Sequence, residues 1–417
     1  MLYSSISFVR NKIAILLGAP LTSQNLERIG SVTLNHYFEV IVLDCLSWVY
    51  PDSSYCVFEK TEWNSVLKIE NLRDLEEFFT RNEVKFAIDF IGATPIRNEI
   101  ARILKENNSR LVVQKLGLVP NRIGFWMRCQ EVLNIFKKEI LKKKVIDNLN
   151  VMPTIEQSEK IYLFQKFLNR LLGHFLKSLT LRMNNPFIVL QPGGRFSSWE
   201  SIFAAKIIRI CSNDYHKFVN TNTNTLEKNM ERQKIAVFID DCLTEALDWQ
   251  ILGITAPINK SKYFESLNTF FDEIEKQFDV NVVIAGHPNT YNNPDYTTNF
   301  VNRPLLYGIT SQVVRESSFV MVHASTATTF AVLAQKKIIV ITSEDIERTH
   351  IGRAVHALRY SLGATLVNLS SKPEKITITG VNQRRYRKYE RRFIKGSLTT
   401  EEEPMHNFVK YAILKSV

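Results

Sequence analysis

A histidine placed where an apolar run stops is the first residue here able to do chemistry. The run VNVVIAG (280–286) leads directly into His287 and Pro288 and then a polar loop. Proline stops a strand and sets the direction of the chain, so the imidazole is presented at a defined place as donor, acceptor or base. Capping the strand end is the structural alternative. A second run, SFVMVH (318–323), ends in His323-Ala324-Ser325-Thr326 before a helical pattern over 327–335. Ser325 or Thr326 suits the N-cap, and small residues let an anion approach the free N–H groups of the first turn. A phosphate cradle and plain capping are therefore both open. A third run, KIAVFID (234–240), ends in Asp240-Asp241. Adjacent carboxylates repel, so one needs solvent, a metal or a cation, or is held as a general base. Capping the next turn is again the alternative. Asp89, ending KFAID before the loop that contains Gly92, is a rival base.

Three further features are less specific. Gly193-Gly194-Arg195 follows FIVLQ and combines flexibility with a guanidinium fork for phosphate or carboxylate, yet no P-loop or G-x-G-x-x-G pattern is present. Gly18 marks another strand-to-loop turn, which lines an acceptor site or simply turns the chain. From Arg384 to Lys395, basic residues alternate with aromatics, a composition suited to anionic lipid head groups or to a solvated charged helix. Nucleic acid is not expected as a partner, because no nucleic-acid-binding module accompanies the patch.

These residues need elements to hold them. Short apolar runs ending in Gly, Asp, Pro or Ser alternate with stretches of helical spacing, the pattern of parallel sheets covered by helices. The expected strands are 12–17, 39–45, 85–91, 110–115 and 187–191, then 234–240, 280–286, 318–323, 337–342 and 364–369. Between the two sets lie a basic helix near 132–147, an amphipathic helix near 155–180 and a polar linker over 219–233. The 417 residues suit two or three domains. We expect an α/β chain with two Rossmann-like domains, 1–230 and 233–380, facing a central cleft, and a basic helical segment over 381–417. A net charge of +11 with 45% hydrophobic residues excludes intrinsic disorder, and 15 Gly with 13 Pro excludes a collagenous chain. Five scattered cysteines (Cys45, Cys56, Cys129, Cys211, Cys242) without a C-x-x-C pair suggest a reducing cytoplasm. The absence of an apolar run of about 18 residues leaves only peripheral membrane contact, at the inner membrane.

An acidic pair, a His-Pro and a Ser/Thr-rich helix start, in that order on the second of two such domains, resemble GT-B glycosyltransferases. The bacterial sialyltransferases and polysialyltransferases are the nearest in pattern, and residues 234–343 are also similar to bacterial surface-polysaccharide proteins. The resemblance implies acceptor deprotonation by Asp240-Asp241 and binding of the nucleotide phosphate by His287-Pro288 and Ser325-Thr326, with His323 alongside. The motif usually ends in Gly, where this chain has Cys242, and its acidic pair here opens the second domain. By resemblance the reaction is an inverting transfer from a CMP-linked acidic sugar to a surface glycan or glycolipid. A helix N-terminus and a histidine would stabilise the leaving phosphate with no metal and no cofactor. A sugar-nucleotide epimerase, or a non-catalytic carbohydrate-binding protein, is the alternative on the same fold.

Overall fold

The computed structural model describes residues 10–51, 63, 65–92, 94, 96–115, 117–120, 180–183, 185, 187–194, 199–221, 234–246, 249, 255–291, 293–371, 375–396 and 403–414. The helices expected near 132–147 and over most of 155–180, the linker beyond residue 221, Arg195, Cys56 and Cys129 lie outside them. Two sheets organise the rest, and every strand pairing is parallel. The first contains β1 (Lys12–Leu17), β2 (Glu39–Asp44), β3 (Val66–Lys68), β4 (Val84–Phe90), β5 (Arg110–Gln114), β6 (Ile188–Pro192) and β7 (Lys206–Ile210), in the order β3-β2-β1-β4-β5-β6-β7. The second contains β8 (Ile235–Ile239), β9 (Asn281–Ala285), β10 (Leu305–Leu306), β11 (Phe319–Val322), β12 (Lys337–Thr342) and β13 (Thr365–Asn368), in the order β10-β9-β8-β11-β12-β13. The expected pair of Rossmann-like α/β domains is thus present. β3, β7 and β10 were not expected. All three are edge strands, and their short or half-exposed sequences lack the continuous apolar run that burial on both faces imposes on inner strands.

Helices cover the sheets by ordinary amphipathic logic. In Lys260–Phe278 the residues Tyr263, Phe264, Leu267, Phe270, Phe271 and Ile274 recur at helical spacing and are buried, while Asn259 caps the start by accepting from Lys262 N at 3.0 Å. Residues beyond 381 are shared between the two cores. Tyr386, Tyr389 and Ile394 are buried in the second domain's core. The helix Pro404–Leu414 returns to the first, where Met405, Phe408, Val409 and Ala412 are buried and the Phe408 ring meets Phe86 edge-on at 5.4 Å. Cys45, Cys211 and Cys242 are buried.

Candidate functional site

Strand order reverses at β8: β9 and β10 lie to one side, β11 to β13 to the other. The residues leaving β8, β9 and β11 therefore meet at one switch point, the place where α/β sheets bind ligands. Asp240, His287 with Pro288, and Ser325 with Thr326 leave those three strands and line a single cavity of about 870 Å³. Residues from the first domain form its other wall, among them Asp89 near the end of β4 and Gly92, Lys115 and Gly117 beyond β4 and β5.

On the second-domain wall the carboxylates are heavily solvated by protein. Asp240 is buried; its Oδ1 accepts from Cys242 N at 2.9 Å, and the Tyr296 hydroxyl lies 3.0 Å from both oxygens. The backbone N–H of His287 also donates to it. Burial, with a smaller push from Asp241, raises its pKa to about 7 against these donors. Asp241 is likewise raised to about 6 by burial, and accepts from Ala324 N at 3.0 Å and from the Ser325 side chain, tying β8 to β11. Cys242 has φ +51, the left-handed region. Holding a non-glycine residue there costs about 1 kcal/mol, and it is the position where the resembled motif has glycine.

His287 caps the short turn Pro288–Thr290, its Nδ1 accepting from Asn289 N at 3.2 Å. The ring proton of the neutral form is therefore on Nε2. Burial, helped by the positive charge of Arg28, lowers its pKa to about 4, so the histidine offers a neutral N–H donor. Ser325 and Thr326 do not cap the helix that follows. That helix runs Thr328–Leu333 behind Ala327, while Ser325 Oγ accepts from Ala327 N at 3.3 Å within the preceding turn.

Several sequence expectations are not met by the geometry. His323 is fully buried, with Nδ1 2.9 Å from Ile341 O and Nε2 2.9 Å from the Tyr263 hydroxyl. Both nitrogens are satisfied in the core, burial holds its pKa near 4, and it does not line the cavity. Asp89 is no free base: Arg97 grips it through Nε and Nη2, and Ile91 N donates to its other oxygen at 2.9 Å. Gly18 turns the chain against β4, where a Cβ would stand 2.9 Å from Ile91 Cα. Gly193 has φ +67 and its missing Cβ makes room for the backbone of Arg392, while Gly194 N donates to Arg391 O at 2.7 Å. Gly193 and Gly194 thus dock the C-terminal segment and are not among the residues that line the cavity.

Other lining residues had no motif to announce them. Arg28, Lys115 and Lys217 bring positive charge, with Lys115 paired to Glu200 at 2.9 Å and Lys217 to Glu27 at 3.4 Å. Asp214 and His216 come from the first two turns of the helix Asn213–Asn220. Gln114 Oε1 and Ser311 Oγ are buried on this lining without a hydrogen-bond partner. Buried polar atoms are nearly always paired, so two orphans on one cavity mark places for a polar ligand or ordered water. Among the described residues no cluster of three or more His, Cys, Asp or Glu is arranged to hold a metal ion.

No protein-family profile matches the chain, and no curated protein matches it in sequence. Solved structures do match, 138 chains in all. Acinetobacter baumannii MurG is 9% identical, with 97% of this chain and 99% of that one covered and a TM-score of 0.47. A putative UDP-N-acetylglucosamine 2-epimerase from Listeria monocytogenes is 10% identical over 91% and 87% of the two chains, TM-score 0.42. The calicheamicin glycosyltransferase CalG4 is 11% identical over 86% of each, TM-score 0.43. At these values the likenesses carry no argument about activity.

Proposed function

We propose that this protein transfers a sugar from a nucleotide donor to a glycan or glycolipid acceptor, with inversion and by way of the interdomain cavity. The observation that carries the reading is the convergence of Asp240, His287, Ser325 and Thr326, from the ends of β8, β9 and β11, on one cavity whose far wall belongs to the other domain. A donor nucleotide on the second-domain wall would receive the His287 Nε2–H and the Thr326 hydroxyl at its phosphate, with Ser325 lining the cavity beside them. Those donors stabilise the charge that grows as the bond to the anomeric carbon breaks. Asp240 and Asp241, each saturated by N–H and O–H donors, hold the ends of β8, β9 and β11 in register behind that phosphate. The volume suits a nucleotide sugar. The CMP-linked acidic sugar is the donor that the motif order implies. A reading as a sugar-nucleotide epimerase is favoured by one observation, a cavity-lining carboxyl, Asp240, raised toward neutrality, because acid-base work on a sugar ring needs such a group and no acceptor.

Thermal-shift titration with CMP, UDP, GDP and their sugars tests the first step, since a ligand binding only the folded chain raises its apparent stability. Nucleotide release that speeds up with added acceptor supports transfer. Interconversion of free sugar nucleotides supports the epimerase, and no nucleotide binding at all would leave a non-catalytic carbohydrate-binding role. Contact with an anionic membrane through Arg384 to Lys395 belongs to the same proposal. Among the described residues no helix is long and apolar enough to cross a bilayer.

A further inference from the structure

We infer that Gln114 marks a subsite for one uncharged sugar ring of the acceptor, an inference that rests on the glycosyl-transfer reading. Gln114 ends β5 on the first-domain wall. Its Oε1 is buried without a hydrogen-bond partner, and the residue lines both the interdomain cavity and a smaller one of about 210 Å³ beside it. Pockets for whole ligands begin at roughly 300 Å³, so the smaller space takes a single ring of a larger molecule. It is built from distant pieces of chain: the end of the helix Ser23–Ile29, β5, the helix Asn213–Asn220 and the start of the helix Pro404–Leu414. The loop after β5 also reaches the site proposed for the donor's phosphate. Gly117, three residues beyond Gln114, packs against Thr326, where a Cβ would stand 3.2 Å from Thr326 Cγ2.

The chemistry of the lining selects the ring. An amide oxygen accepts and cannot donate, so the partner it lacks must bring a hydrogen. A phosphate dianion or a carboxylate brings none, whereas a sugar hydroxyl does and relieves the cost of a buried, unmet acceptor. The charges around the small cavity are already matched. Glu27 pairs with Lys217 at 3.4 Å, and Glu403 accepts from the Thr33 hydroxyl and lies 3.7 Å from His406. The Arg28 carbonyl accepts from Asn213 Nδ2 at 2.9 Å. A charged ring would have to disturb these pairs. An uncharged one fits among them, and the acceptor held by it extends into the interdomain cavity toward the donor at His287 and Thr326.

Saturation-transfer NMR on the full chain tests this, with the methyl glycosides of glucose, galactose, N-acetylglucosamine and N-acetylgalactosamine as neutral probes and sialic acid as the acidic one. Thermal-shift titration with CMP, UDP and GDP runs alongside. At least one neutral probe should bind, and sialic acid should not displace it. In a monofluoro series of that probe, replacing one particular hydroxyl by fluorine, which cannot donate, should weaken binding to the parent by about 2- to 10-fold. Gln114→Leu should bind the unmodified probe more weakly by the same factor and be blind to that fluorine, while Gln114→Glu, which keeps an acceptor oxygen, should still sense it. The fluorine series reads the parent chain alone, so it stands whether or not the variants fold. Nucleotide binding without neutral-sugar binding overturns the subsite and leaves the transfer reading intact. So do preferential binding of sialic acid and a fluorine effect that is absent from the parent or survives in Gln114→Leu. Sugar binding without any nucleotide binding overturns the transfer reading and the acceptor role with it, and a chain that binds neither overturns both.

Discussion

Asp240 shows how one side chain links the site to folding. Its carboxyl is raised to about 7 in the folded chain, above the value near 4 of an unfolded aspartate. Between those values the folded state holds the extra proton, so the contribution to stability is full below about pH 4 and is lost as pH rises through 7. Asp240→Asn should flatten that slope, and at pH 8 should recover stability on the order of 2–4 kcal/mol relative to the parent. Urea unfolding at pH 5 and pH 8 measures both. His287 lies the other way. Its neutral ring offers Nε2–H to a charged phosphate, a bond of roughly 1.5–3 kcal/mol, so His287→Ala should weaken nucleotide binding by about 10- to 100-fold. Calorimetric titration with the nucleotide found in the thermal screen checks this, and unchanged affinity would return His287 to a capping role.

Among the elements, the helix Gln383–Tyr389 and the turn Glu390–Ile394 sort the basic-aromatic segment by face. Tyr386 and Tyr389 are buried, the Tyr386 hydroxyl donating to Lys336 O at 2.7 Å. Arg384, Arg387, Lys388 and Arg391, at spacings of three and four, are exposed. The tyrosines are thus unavailable to lipid, and any bilayer contact must be made by charge, at about 1 kcal/mol per basic residue near an anionic surface. Binding to phosphatidylserine vesicles should be strong at low salt and vanish at high salt; sedimentation that ignores salt, or finds no binding, contradicts it. The same segment explains the glycine pair. Gly193→Ala places a Cβ against the Arg392 backbone at a positive φ, and should destabilise the chain by about 1–3 kcal/mol in a urea melt.

At the scale of the whole molecule, the last helix carries the chain back into the first domain. Phe408 is fully buried there beside Phe86, so Phe408→Ala should cost about 3–5 kcal/mol, concentrated in the first domain. Hydrogen exchange should show faster opening of β1, β4 and the helix Pro404–Leu414, with the second sheet protected as before. The cleft between the two sheets would then loosen from one side only, and nucleotide affinity should fall less than acceptor-dependent turnover.

The inner strands were legible because burial on both faces forces near-continuous apolar runs, and so was the placing of His287, Asp240 and Ser325 where those runs stop. Edge strands escaped notice because one open side relaxes that demand. What tertiary structure alone decided is which neighbours each polar side chain meets. His323 follows its strand much as His287 follows another, yet it turns into the core between Tyr263 and Ile341 O, while His287 lines the cavity. Asp89 looked like a free strand-end carboxylate until Arg97, eight residues on, closed over it. Asp214, which no motif marks, reaches the cavity from a helix whose Tyr215 is buried in the second domain's core. Local spacing decides where a strand ends and hence where a polar residue can emerge. Whether that residue finds an ion-pair partner, a core or an open cavity depends on contacts between distant segments, which no local pattern encodes.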